Sequence, residues 1–232
     1  MKEILAFTVH DIYPDVLYQG LTKIEDIDGK KGYKGCFAHK WSMINKFVYR
    51  SNIDLNFKIL NLGDKYKIEY MDTSQTEFCF TRGLVTVQDG HHDAKDMNPV
   101  FQIETDKAFI CKDKVFMEMQ HHHSTPNNLK LITGKFDISS WARGINCAFE
   151  IKNQHQEVVI KRGDPLAVIA FYTDKINETF KIKNINPSKE LLKLTRSTAL
   201  LTSFLAHVKI LLPVGKTLLQ NLIEKGKHVR KK

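Results

Sequence analysis

The sequence predicts a mainly β domain, a barrel or sandwich, followed by a helical, basic and leucine-rich C-terminal segment. Three observations carry this. Short runs rich in β-branched and aromatic residues recur through residues 1–180, with Asn, Asp, Gly or Pro often standing between them. Several runs alternate with the period of two that a half-buried strand requires. From Pro187 onward the apolar spacing lengthens to that of a helix.

The predicted strands follow in order: FKIL, KYKIEY, TEFCFT, KAFICK, KVFMEM, LKLIT, NCAFEIK, EVVIK and LAVIAFY. In the fifth, Val115, Met117 and Met119 share one face while Phe116 and Glu118 share the other. In the seventh, Cys147, Phe149 and Ile151 share a face. Gly163-Asp164 reads as a turn, Pro165 suits the first position of the next strand, and Leu166 to Phe171 reads as that strand, buried on both faces. Many short strands with frequent turns indicate a sandwich or barrel. Pro187-Ser188 offers a helix start with Ser188 as N-cap. Leu191, Leu194, Leu201, Leu205 and Val208 then form an apolar stripe, which Pro213 and Gly215 interrupt. Leu218, Leu219, Leu222 and Ile223 suggest a second, shorter helix. The expected division is a β domain over 1–180 and a helical segment over 181–232. The helical segment should dock through Leu194, Leu201, Leu205 and Val208.

Length, charge and cysteine usage narrow the class. A chain of 232 residues with 42% apolar and 26% charged residues can bury a core of ordinary size and is not disordered. The longest apolar runs, such as Leu166 to Tyr172, are far too short to span a bilayer. The net charge of +9 is uneven: residues 181–232 carry +10 and residues 1–180 carry −1. A neutral body argues against a nucleic-acid groove across the whole domain. The basic tail offers a contact for phosphate, an acidic partner or a membrane surface. Asp11 and Asp15 come before any secretory cleavage pattern, so no signal peptide is expected. Cys36, Cys79, Cys111 and Cys147 are widely spaced, as expected of buried thiols in a reducing, cytoplasmic compartment.

One stretch carries a family resemblance. Residues 134–172 read GKFDISSWARGINCAFEIKNQHQEVVIKRGDPLAVIAFY. Gly134, Phe136 and Asp137 are similar to one turn of the dUTPase and dCTP deaminase β-clip family, and Arg143-Gly144 to another. Asn153 resembles that family's strand-end Asn, and Ile160 with Gly163-Asp164 its last element. The stretch, with NKFVYRSNIDLNFKI, also resembles uncharacterised proteins of tailed phages. The resemblance implies a β-clip or jelly-roll-like framework and a homo-oligomer, commonly a trimer. It departs from the enzymes where their chemistry sits. The place of the Arg-Ser-Ser/Gly motif holds Glu118 to Pro126 without an arginine. Gly32-Tyr33-Lys34-Gly35 lacks the carboxylate of the first motif. No Gly-rich C-terminal arm is present.

Function therefore divides three ways. The leading expectation is a non-catalytic homo-oligomeric binding or assembly module. The second is a nucleotide-binding or nucleotide-hydrolysing protein using Asp137, Trp141 and Arg143: Trp141 would stack on a base while Arg143 grips phosphate. The bland alternative has Trp141 plugging the barrel end and Arg143 pairing with Asp137. The third is a metal-dependent enzyme, with a divalent cation held by His121, His123, His91 and His92, since imidazoles from two loops can gather around zinc or iron. A polar histidine loop is the plainer account of that run. Gly215-Lys216-Thr217 lacks the earlier glycine of a phosphate loop, no GxSxG occurs, and Cys147 belongs to the core.

Overall fold

In the computed structural model, strands account for most of the chain that can be followed. The structure describes residues 1–9, 21–23, 43–62, 66–71, 75–88, 98–126, 128–142, 144–153, 156–175 and 178–195. The strands are β1 Lys2–Thr8, β2 Thr22–Lys23, β3 Lys46–Arg50, β4 Leu55–Asn61, β5 Tyr66–Tyr70, β6 Val85–Gln88 and β7 Val100–Ile110. After them come β8 Phe116–Gln120, β9 Leu129–Leu131, β10 Gly134–Asp137, β11 Gly144–Ile151, β12 Val158–Ile160, β13 Pro165–Tyr172 and β14 Phe180–Asn184. A helix, α1, spans Gln75–Thr81, and a second, α2, begins at 189 and is described to 195.

Three sheets result. The first has the order β14-β1-β7-β11-β9, with β6 also on β7; the second is β10-β8-β13-β3-β2; the third is β12-β4-β5. The long β7 is the hinge of the first sheet. Its start pairs with β6 and its end with β1, while β11 runs along its other side. β14 pairs parallel to β1, so the sheet continues past the expected boundary at 180/181. Among the described residues no barrel closes.

Alternation decides which side chains are enclosed. β11 reads half-buried and buried in strict turn, with Ile145, Cys147, Phe149 and Ile151 inside. β8 does the same, with Met117 and Met119 inside and Phe116 and Glu118 on the other face. Phe101 stacks on Phe149 with ring centroids 5.4 Å apart, and Phe57 of the third sheet meets Phe101 edge-on at 5.1 Å. Phe109 and Phe171 bring the first two sheets together at 5.5 Å. One core thus serves all three sheets. β13 is buried along Leu166 to Phe171, as its unbroken apolar run requires.

TEFCFT is a correction: it forms α1, not a strand. Thr76, Cys79 and Phe80 fall at helical spacing, Thr76 and Cys79 are buried, and Phe80 packs on Phe57 at 5.1 Å. The helix ends at Gly83, whose φ of 71° is left-handed. The Leu84 N–H donates to the Cys79 carbonyl and the Gly83 N–H to that of Phe80, which is a Schellman stop. The turn 161–164 forms as expected. Gly163 has φ 93°, Asp164 Oδ2 accepts the Lys161 N–H at 2.8 Å, and Arg50 donates to the Gly163 carbonyl at 2.7 Å.

Ser188 caps α2, its Oγ accepting the Leu191 N–H at 3.1 Å. Leu191 is buried, and Leu194 packs beside it against Phe7, Ala108 and Ile110 on the outer face of the first sheet. Leu201, Leu205, Val208 and the second helix lie outside the described residues. Among the described residues no helix is long and apolar enough to cross a membrane.

Candidate functional site

Asp137 ends β10 and builds the turn that follows. Its Oδ1 accepts the Ser139 N–H at 3.0 Å and the Ser139 hydroxyl at 2.6 Å. Its carbonyl accepts the N–H groups of Ser140 and Trp141 at 3.1 and 2.9 Å. This is a side-chain-closed Asx turn. The Trp141 indole lies tilted against Phe136 at 5.6 Å and is half-buried. Carboxylate and indole therefore serve different neighbours. Arg143, the third member of the expected set, lies outside the described residues.

The histidine run begins just past β8. His121 and His123 are exposed, while His122 is buried and its Nδ1 accepts the Ser124 N–H at 3.1 Å. His122 and His123 stack with ring centroids 4.4 Å apart. Burial, and then the charge of Lys152, lower the His121 pKa. His91 and His92 lie outside the described residues, and among those described no group of three His, Cys, Asp or Glu side chains is placed to hold a metal. Cys147 is fully buried, and burial pushes its thiol up to about 12, the reverse of what a nucleophile requires.

A different cluster was not foreseen. On the outer face of the second sheet, β8 lies between β10 and β13. Asp137 stands opposite Phe116, Lys135 opposite Glu118, and Tyr172 opposite Phe116 on the other side. The Phe116 and Tyr172 rings lie 6.5 Å apart and 29° from parallel. Lys135 Nζ sits 4.8 Å from the Phe116 centroid and 4.9 Å from that of Tyr172; Lys114 Nζ is 5.2 Å from Phe116. The Tyr172 hydroxyl donates to Glu118 Oε2. Burial first, and then that bond and its charge, raise the Tyr172 pKa above the usual phenol range. Phe116 and Glu118 share a face by alternation alone, a signal present in the sequence. Their partners Lys135 and Tyr172 come from other strands, and nothing local announces them.

Compared with known proteins, the chain matches no protein-family model and no curated protein sequence.

Proposed function

We propose that this protein is a homo-oligomeric, non-catalytic binding or assembly module, of the tailed-phage β-clip kind, with a trimer as the expected state. The observation that carries the reading is where apolar side chains meet solvent. Among the described residues β12, β9 and β5 are edge strands; Val159 on β12 is 40% exposed, Ile132 next to β9 43% and Met71 next to β5 47%. Edge strands offer unpaired backbone groups as templates for another chain, and apolar side chains there favour such pairing instead of opposing it. The state of Asp137 supports the non-catalytic half: its carboxylate is engaged within its own turn.

The test is a double variant, Ile132→Lys with Val159→Lys, compared with the native chain by sedimentation velocity. The native chain should sediment as an oligomer and the variant as a smaller species, with circular dichroism unchanged. A native chain that sediments as a monomer, or a variant that assembles like it, overturns the reading. A nucleotide panel with magnesium addresses the dUTPase-like alternative. A nucleotide at 100 times its dissociation constant would stabilise the fold by about 2.7 kcal/mol, and the assembly reading expects no shift.

A further inference from the structure

The aromatic cluster on the second sheet holds two cations that, among the described residues, form no ion pair. Lys114 and Lys135 are exposed, and among the described residues neither lies within ion-pair distance of an acid. The acids nearby are engaged elsewhere. Glu118, the cross-strand neighbour of Lys135, accepts from Tyr172. Asp137 accepts from Ser139. Asp113 faces Lys2 at 3.8 Å, and Glu178 faces Lys2 at 3.0 Å. Both ammonium groups instead stand about 5 Å from the centroid of one ring, Phe116, and so lie no more than about 10 Å apart. Ring faces hold an ammonium without cancelling its charge, because a quadrupole attracts but carries no net charge.

We infer that Lys114 and Lys135, held over Phe116 and Tyr172, form a binding site for a phosphate-bearing anion. Each ammonium offers donors to phosphate oxygens, and charge-assisted bonds of this type are short and strong. Phe116 and Tyr172 restrain both stems, which lowers the entropy that two free lysines would lose on binding. Tyr172 is a positioning residue: by holding Glu118 it keeps the cross-strand carboxylate from closing on Lys135. The site is independent of the assembly reading, since a monomer would carry it as well.

Inorganic pyrophosphate at low ionic strength is the probe, with acetate as the carboxylate control, followed by NMR of the full chain. Pyrophosphate should shift the Phe116 and Tyr172 ring resonances. The double variant Lys114→Gln with Lys135→Gln should weaken binding by about tenfold or more, the loss of charge-assisted hydrogen bonds. Tyr172→Phe keeps the ring but frees Glu118, and should weaken binding several-fold with the fold intact. Absence of ring shifts, or equal affinity in the double lysine variant, would overturn the site. Acetate acting at the same concentration as pyrophosphate would overturn the assignment to phosphate. Unchanged affinity in Tyr172→Phe would overturn the role given to Tyr172.

Discussion

Cys147 shows how one buried group carries both a structural and a negative functional statement. Its thiol lies in the core opposite Ile103, and no charged group offsets the cost of ionising it. The native form should therefore resist iodoacetamide at mildly alkaline pH, while the unfolded chain reacts; peptide mapping at Cys147 reads the difference. The linkage follows from the sign of the shift. The unfolded thiol ionises near its ordinary value of about 8.5, whereas the folded one does so only at about 12. Stability from this group is full below about pH 8 and is lost as pH rises between those values. Cys147→Ala should flatten the alkaline loss of stability relative to the native chain; identical pH dependence would contradict the burial. Cys147 was legible in the sequence because its alternation with Phe149 and Ile151 depends only on neighbours. The Lys135, Phe116 and Tyr172 cluster was not, because it depends on the register of three strands, which a local pattern leaves open.

At the scale of elements, α1 and α2 differ in how readable they were. TEFCFT is a short apolar run, and such runs fit a strand or a buried helical turn equally well. What decides is the stop at Gly83 and the space for Phe80 against Phe57 and Tyr70, and only the second is non-local. Gly83→Ala meets no atom within 4 Å, so its cost is backbone strain alone, about 1 kcal/mol. Chemical denaturation should show this loss with an unchanged slope. α2 announced itself through Ser188 and the leucine spacing. Ser188→Ala should cost about 1 kcal/mol by freeing one helix-start N–H. Leu191→Ala should cost about 2 kcal/mol or more through lost burial against the first sheet. If Leu191→Ala left the melting temperature unchanged, α2 would not be docked there. β14, Phe180–Asn184, was not among the predicted strands. Among the described residues that strand joins the sheet through parallel pairing with β1, 178 positions away in sequence.

For the molecule as a whole, one core joins three sheets, and Phe101 lies where the first and third meet, in contact with Phe57 and Phe149. Phe101→Ala should cost about 3–5 kcal/mol and lower the unfolding transition of all three sheets together, as a single cooperative step by near- and far-ultraviolet dichroism. Under the proposed reading, the apolar side chains at the sheet edges are where another copy would pair. The most direct measurement is molar mass by multi-angle light scattering on the native chain at micromolar concentration. A trimer gives a single species of about three times 26.8 kDa. A monodisperse peak at 26.8 kDa that persists as concentration rises would contradict it.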